Sequence, residues 1–225
     1  MNSIFQKIME MPLFHGVSYQ KLSEIIGKHR FHFQKHKPGD IIVRAGDPCM
    51  LLSTVISGSV RVKIDSADSR VTVSQTLDAP EVIAPEYFFG RVTNYPATVT
   101  ALDNCGIMQI EKRDYVDIIN SDQVFLFNIL NLLSMNAQRA TDGVLALTSG
   151  NLQRRIAYWI VALTQNNGYD ITMECRQRDL YSVFGVQRQS LISTLAEMKA
   201  EGLLDYTPQC IRVADRRNLV KLLDI

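Results

Sequence analysis

The spacing of apolar residues changes twice along this chain of 225 residues, and the changes limit the folds that it can adopt. Residues 1 to about 30 are typical of short helices. From about residue 31 to 110, apolar and polar residues alternate, which is the period of half-buried strands. From Arg113 onward the period is helical. The chain is therefore predicted to place a β-rich domain between helical segments.

Turn residues divide the β-rich region into many short strands. They recur at residues 37–40, 45–48, 57–58 and 65–68. Short strands at such spacing are typical of a β-sandwich or a β-barrel.

A long helix is predicted after residue 121, where Ser121 or Asp122 can cap the first turn. Its apolar residues follow at alternating spacings of four and three, the heptad seam with which two parallel helices pack together. The alternative is one helix that packs on its own barrel. The seam consists of Leu126, Leu130, Leu133, Ala137, Ala140, Val144 and Leu147.

The helical pattern breaks at residues 148–151. Gly150 suits a helix end, and Asn151 suits the N-cap of the following helix. We interpret this break as a hinge between two domains. The amphipathic segment 152–164, which contains the single tryptophan, Trp159, is predicted to be a core helix of the second domain.

Residues 176–204 carry the most informative pattern. Apolar residues form the inner face of a short helix, Gly185 supplies the positive φ of a tight turn, and a second helix runs from Gln187 to Ala200. Leu203 and Leu204 then start a strand, a hairpin follows at residues 205–213, and Asp215 caps a last helix. Two helices around a glycine turn are typical of a helix-turn-helix, whose second helix enters the DNA major groove. A helical hairpin for protein–protein contact is the alternative.

The side chains that project from this segment suit DNA. Arginine pairs with guanine and glutamine with adenine, and the other polar groups suit phosphates. From residue 151 onward the charge is only +2, so affinity should depend on a few contacts and on dimerisation. The predicted DNA-binding residues are Arg188, Gln189, Ser190, Ser193, Arg178 and Gln187.

Composition excludes several other classes. The net charge is +1, and the four cysteines show no C-x-x-C spacing, so neither a zinc site nor an iron–sulfur cluster is predicted. The sequence has no signal-peptide pattern and no apolar run that could span a membrane, so we expect a cytoplasmic protein with no membrane partner.

In this order, the segments resemble the family of the cyclic-AMP receptor protein and the fumarate–nitrate regulator, CRP/FNR. The resemblance rests on the ordered set of residues 13–18, 37–48, 55–62, 98–105, 110–115 and 201–204. It implies an α+β fold with a jelly-roll, cyclic-nucleotide-binding-like domain at 1–120, a dimerisation helix at 121–148 and a winged helix-turn-helix at 149–225.

The resemblance also implies a function. We expect a homodimeric transcription regulator, not an enzyme, that reads an inverted repeat of double-stranded DNA and contacts RNA polymerase if it is an activator. In the family, the positions of Arg188, Gln189 and Ser193 read bases. The usual glutamate is Gln189 here and the usual later arginine is Ser193, so the operator should differ from the familiar one.

Residues 80–102 match the family's phosphate-binding loop, but its binding groups are missing. Ala84 and Pro85 stand where the family has Gly-Glu, and Tyr95 and Pro96 stand where it has Arg-Ser. A buried phosphate without a cationic partner would cost several kcal/mol. We therefore expect no tight binding of a cyclic nucleotide. The predicted effector pocket consists of Ala84, Pro85, Glu86, Arg91, Tyr95, Pro96, Ala140 and Thr141.

Three modes of regulation stay open. A small effector other than cyclic AMP would swing the DNA-binding domains about the 148–151 hinge. Alternatively, the pocket is vestigial and DNA binding is constitutive, or Arg91 restores a cyclic-nucleotide site in altered form. The aromatic residues Tyr87, Phe88 and Phe89, with Tyr95, would line an apolar pocket or fill the core.

No cofactor or metal is predicted. His29, His32 and His36 lie close in sequence, but their spacing is irregular, so we interpret them as solvated residues at a strand edge and not as ligands of a metal or a haem. A cupin-like enzyme would need histidines on later strands, and none follows His36. A cyclic-nucleotide sensor without DNA binding conflicts with residues 174–213.

Overall fold

The computed structural model describes residues 3–146, 148 and 150–223. Their contacts form two compact units, and neither unit is one continuous segment. The first unit consists of Met1–Val60 and Asp78–Asn136, and the second of Arg61–Leu77 and Ala137–Ile225. The domain boundaries predicted near residues 120 and 148 were placed from sequence patterns and not from contacts. They stay predictions.

The first unit begins with two helices, continues with short antiparallel strands and ends with two further helices. Its elements are α1 (Ser3–Met9), α2 (Tyr19–Lys28), β1 (Phe31–His36), β2 (Ile41–Val43), β3 (Leu51–Ser57), β6 (Glu81–Val82), β7 (Thr98–Ala101), β8 (Cys105–Glu111), α3 (Lys112–Ser121) and the start of α4 (Gln123–Ala146). Strands β4 (Ser59–Asp65) and β5 (Val71–Asp78) lead from this unit into the second and back.

Four strands of the first unit form a sheet in the order β1-β8-β3-β6, and β2 pairs with β7. The central strands β3 and β8 are buried on both faces, as strands covered on two sides must be. The turn before β4 places Gly58 at a φ of 83°, where a Cβ would collide with Asp103. The largest fully buried side chains of this unit are Tyr115, Phe14, Phe88 and Phe125.

The second unit joins the β4–β5 hairpin to the C-terminal part of the chain. Its further elements are α5 (Leu152–Ala162), β9 (Tyr169–Cys175), α6 (Gln177–Phe184), α7 (Arg188–Ala200), β10 (Asp205–Thr207), β11 (Cys210–Asp215) and α8 (Arg216–Leu223). In this unit the strands follow the order β10-β11-β9-β5-β4. The core lies between this sheet and the four helices, and includes Val73, Ile160, Phe184, Leu195 and Leu219.

The long helix α4 buries one face and exposes another. Asp122 accepts a hydrogen bond from the Val124 amide at 3.0 Å, as expected of its cap. Phe125 and Ile129 are buried in the first unit, and Gly143 lies so close to Ala162 of α5 that a Cβ there would collide. The predicted seam faces away from these contacts, because Leu126, Leu130, Ala137, Ala140 and Val144 are exposed and Leu133 is half-buried.

The predicted α+β class is confirmed, with an N-terminal β domain, a long helix and a C-terminal helix-turn-helix with its hairpin. Strand β9 was not predicted, although its buried residues Ile171, Met173 and Cys175 alternate as in a strand. The strand begins at Asp205 and not at Leu203, since Leu203 still bonds back to Met198. Leu147 and Ser149 lie outside the described residues. In the part of the chain that is described, no helix is long and apolar enough to cross a membrane.

Candidate DNA-binding surface and effector pocket

The turn between α6 and α7 is the tight turn that the sequence predicts. Gly185 has a φ of 62°, and the Val186 amide donates to the Tyr181 carbonyl at 3.0 Å. This pattern ends α6 without a steric penalty and fixes the direction in which α7 begins. Leu180 and Phe184 anchor α6 in the core.

Arg155 of α5 supports this turn, and the sequence analysis missed it. Its guanidinium donates to the Phe184 carbonyl at 2.7 Å and lies over the Phe184 ring at 5.7 Å. A carbonyl at a helix end needs such a donor, and the ring adds a cation–π contact. The sequence alone gives no sign of this contact, because 29 residues separate the two partners.

Helix α7 presents the predicted DNA-contacting side chains to solvent. Leu191, Leu195 and Met198 bury its inner face. Ser193 donates to Glu197 at 3.2 Å, so an acidic group that we did not predict lies beside it on the outer face. The exposed residues at the start of α7 and on α6 are Gln187, Arg188, Gln189, Ser190, Ser193 and Arg178.

Charge at this surface is concentrated on a few arginines. Lys199 is paired with Asp205 at 2.6 Å, and Arg217 is paired with Asp215 at 2.8 Å. The Lys199 ammonium, through its hydrogen bond, lowers the pKa of Asp205. Among the described residues, no ion pair is present at Arg178 or Arg188. These two guanidinium groups are therefore available to nucleic acid.

The wing is tied to the helix-turn-helix through its backbone. Thr207 pairs with Cys210 across the hairpin turn. The Pro208 carbonyl accepts from the Gln177 amide at 3.1 Å, and the Gln209 carbonyl accepts from the Cys175 amide at 2.9 Å. These bonds satisfy backbone groups at the start of α6 and hold the hairpin tip beside it.

The predicted effector-pocket residues of the first unit have different environments. Ala84 has a φ of 46°, a left-handed conformation that suits the glycine of the family pattern better than alanine. Pro85 is buried and begins a short 3-10 turn, whereas Glu86 and Arg91 are exposed. Pro96 is half-buried.

Ala140 and Thr141 belong to the second unit and are exposed on α4. The Thr141 hydroxyl donates to the Ala137 carbonyl at 3.1 Å. Whether these two residues share a pocket with Tyr95 stays a prediction.

Tyr95 belongs to a buried polar network inside the first unit. Its hydroxyl donates to the Leu51 carbonyl at 2.8 Å and lies 3.4 Å from the Ser53 hydroxyl, which accepts from Gln109 at 3.1 Å. Burial raises the pKa of Tyr95 far above its ordinary value, so the hydroxyl stays neutral. Tyr95, which the resemblance aligns with the family's arginine, is thus a neutral group bonded to strand β3.

The network also includes a polar atom without a partner. Among the described side chains, the Gln109 carbonyl oxygen is buried and accepts no hydrogen bond. The Cys49 thiol donates to the Leu51 carbonyl at 3.9 Å, and burial raises the pKa of this thiol. Of the aromatic residues considered for a pocket lining, Phe88 is buried, whereas Phe89 is 41% exposed.

Replacing Tyr95 by Phe should lower the free energy of unfolding by about 1–2 kcal/mol, because the Leu51 carbonyl would lose its donor in a buried site. Thermal or urea denaturation measures the change. Tyr19→Phe is the matched control, since this tyrosine is 56% exposed and should tolerate the same change. Equal stability of both variants would show that the hydroxyl contributes nothing to the fold.

The three neighbouring histidines each contact a different group. His29 bonds to Asp114 at 3.1 Å, His32 lies 3.5 Å from Glu111, and His36 contacts Gln34 at 3.3 Å. Asp117 lies within 4.8 Å of His29 and Asp114. The His29–Asp114 distance is that of a hydrogen bond, which ties the end of α2 to the first turn of α3. His29 is only 8% exposed, so the prediction of solvated histidines at a strand edge is wrong for this residue.

Comparison with known proteins agrees with this geometry. The model of the cyclic nucleotide-binding domain matches residues 33–122, and that of the Crp-like helix-turn-helix domain matches residues 154–222. The cAMP-activated global transcriptional regulator Vfr of Pseudomonas aeruginosa is 21% identical over 77% of this chain and 85% of its own length.

Solved structures share the fold. The catabolite activator protein of Thermus thermophilus aligns over 95% of this chain and 99% of its own, with a TM-score of 0.52 and 19% identity. The c-di-GMP responsive global regulator CLP of Xanthomonas campestris aligns over 88% of this chain and 100% of its own, with a TM-score of 0.51 and 18% identity. With both domains matched in this order, the chain belongs to the CRP/FNR family of DNA-binding transcription regulators.

Proposed function

We propose that this regulator acts as a homodimer that reads an inverted repeat of double-stranded DNA, under the control of a small effector other than a cyclic nucleotide. The observation that carries the dimer is the exposed apolar seam of α4. Leu126, Leu130 and Val144 are 41%, 48% and 67% exposed, yet they follow one line along the helix. A second copy of the helix would bury this line in coiled-coil fashion.

Dimer symmetry determines the form of the DNA site. Two copies of α7 related by a two-fold axis need half-sites about 10 base pairs apart, centre to centre. Arg188 and Gln189 are exposed at the start of this helix and have the geometry for guanine and adenine. An activator would in addition contact RNA polymerase.

The proposal of an effector other than a cyclic nucleotide rests on the loop chemistry. Pro85 offers no side-chain acceptor for a ribose hydroxyl, and Pro96 has no amide proton for a phosphate. The Tyr95 hydroxyl is already bonded to the Leu51 carbonyl, and Arg91 points into solvent. A cyclic phosphate in this loop would therefore lack a charged partner.

Cyclic AMP and cyclic GMP should not bind with a dissociation constant below about 1 mM, which corresponds to about 4 kcal/mol of binding free energy. Isothermal titration calorimetry of the purified dimer with each nucleotide measures this. Vfr, the cAMP-activated relative from Pseudomonas aeruginosa, serves as the positive control. Saturable binding in the micromolar range would contradict the prediction and favour the altered cassette.

Constitutive DNA binding is the second candidate, and the Tyr95 network favours it. A pocket that the chain's own side chains fill needs no ligand to complete it, and Tyr95 is only 6% exposed. Selection of random duplex DNA by the purified protein, with no ligand added, separates the two candidates. Enrichment of one inverted repeat, with no small molecule in a denatured extract, favours constitutive binding. Weak and salt-sensitive binding to every sequence favours a missing effector.

A further inference from the structure

The DNA-binding segment pairs, through a strand of its own, with the β4–β5 hairpin. β5 pairs with β9 in antiparallel register, with Val71 opposite Cys175, Val73 opposite Met173 and Thr76 opposite Tyr169. β9 immediately precedes α6, the first helix of the helix-turn-helix. The hairpin therefore extends the sheet of the wing, in the order β10-β11-β9-β5-β4.

Side chains reinforce one end of this ladder, where Thr76 lies opposite Tyr169. Arg61 of β4 donates to the Asp170 carboxylate at 2.7 Å and to the Asp170 carbonyl at 3.1 Å. Asp170 has a φ of 45°, a conformation that an aspartate adopts only at a cost, and the bidentate arginine offsets it.

At the same end, Gln75 is 1% exposed and its side-chain oxygen accepts from the Gln165 amide at 2.8 Å. A Cβ on Gly168 would collide with this oxygen. Val73, at the centre of the ladder, is 5% exposed and belongs to the same apolar core as Ile160, Phe184 and Leu195. The hairpin thus contributes to the interior of the DNA-binding unit and does not merely lie against it.

The chain passes between the two units three times, after Val60, after Leu77 and after Asn136. A swing of α6 and α7 about residues 148–151 alone would have to break the β5–β9 ladder and remove Val73 from the core. We propose that the β4–β5 hairpin stays paired with β9 when the protein binds DNA, so that residues 61–77 and 137–223 move as one body. This body pivots at the three points where the chain crosses between the units, and not at the predicted hinge, residues 148–151.

This inference goes beyond the proposed function, since it needs neither an effector nor a particular operator. A disulfide across the ladder tests it directly. Directly opposite residues in antiparallel strands lie about 4.5–5.5 Å apart at Cα, within the range that a disulfide spans. Val71→Cys places a thiol opposite the native Cys175, which is a free cysteine.

The oxidised Val71→Cys protein should contain one new disulfide by peptide mass mapping and should bind a selected inverted repeat within about twofold of the reduced form. Wild-type protein and Val71→Ser, treated with the same oxidant, control for the native thiols. A loss of more than tenfold in affinity on oxidation, restored by reductant, would mean that the hairpin must leave β9 and would overturn the proposal. Failure of the disulfide to form in folded protein would overturn it as well.

A second variant breaks the contact. Gly168→Val should displace Gln75, so that amides of β5 and β9 exchange with deuterium faster than in wild type while α4 is unchanged. The affinity for DNA should fall about tenfold, because α7 loses its fixed support. Gly27→Val is the control, since nothing lies within 4 Å of a Cβ there. Faster exchange without any loss of affinity would show that the hairpin plays no part in DNA binding.

Discussion

Replacing Leu130 by Glu should convert the protein to a monomer at micromolar concentration. Leu130 is 48% exposed in the single chain and lies in the N-terminal half of the α4 seam. In a parallel dimer two carboxylates would be buried near each other, and each uncompensated buried charge costs several kcal/mol. We expect the dimer to weaken at least about 100-fold, or about 2.7 kcal/mol. Sedimentation equilibrium measures the change, and specific DNA binding should be lost with it.

Asn131→Glu is the matched control for this prediction. It adds the same charge to the same helix at an exposed position that points away from the seam. This variant should stay dimeric and keep its affinity for DNA. If Leu130→Glu also stays dimeric, the seam is not the dimer interface, although the assignment of the DNA-binding segment would be unaffected.

Arg188→Ala should reduce binding to the selected operator by at least about 30-fold. A bidentate contact between arginine and guanine is worth about 1–3 kcal/mol. A symmetric dimer makes the contact twice, so the loss doubles. Selection with the variant should also show that one base position in each half-site has become degenerate, since the side chain that discriminates there is gone.

Two other arginines distinguish the effects of base contact, phosphate contact and charge. Arg178→Ala should weaken binding to every sequence to a similar extent and remove about one phosphate contact per subunit, which lowers the slope of the salt dependence by about 0.9 per subunit, or about 1.8 for the dimer. Arg217→Ala should change neither quantity, because Arg217 is already paired with Asp215. Unchanged operator binding by Arg188→Ala would show that α7 is not the recognition helix.

The parts of the site that the sequence predicts are those built from neighbouring residues. The α6–α7 turn depends on Gly185 and on apolar spacings within about 20 residues, and its cap and buried face agree with the prediction. The same holds for Asn151, which accepts from the Arg154 amide at 2.9 Å and begins α5 as predicted. Local chemistry of this kind does not depend on the rest of the fold.

The parts that could not be predicted join residues distant in sequence. Tyr95 bonds to Leu51 and Ser53, more than 40 residues away, and only the folding of the first unit brings them together. Strand β9 was missed because both of its pairing partners are distant in sequence, with β5 in the N-terminal half of the chain and β11 beyond the helix-turn-helix. An alternation of apolar and polar residues over only seven positions is weak evidence for a strand when the strands that would pair with it lie in other parts of the chain.

The β5–β9 ladder also affects how the chain folds, because β5 is synthesised long before β9. Contacts of such long sequence separation form late and slowly, because a large loop must close first. Until then β9 is a bare edge strand, with unpaired backbone groups that can recruit the same strand of another molecule. A C-terminal fragment that starts at residue 149 would keep this edge permanently and would lack Val73 from its core. A helix-turn-helix fragment cut at the predicted hinge, residues 148–151, is therefore prone to aggregation. In the full-length chain, β5 pairs with β9 and covers this edge.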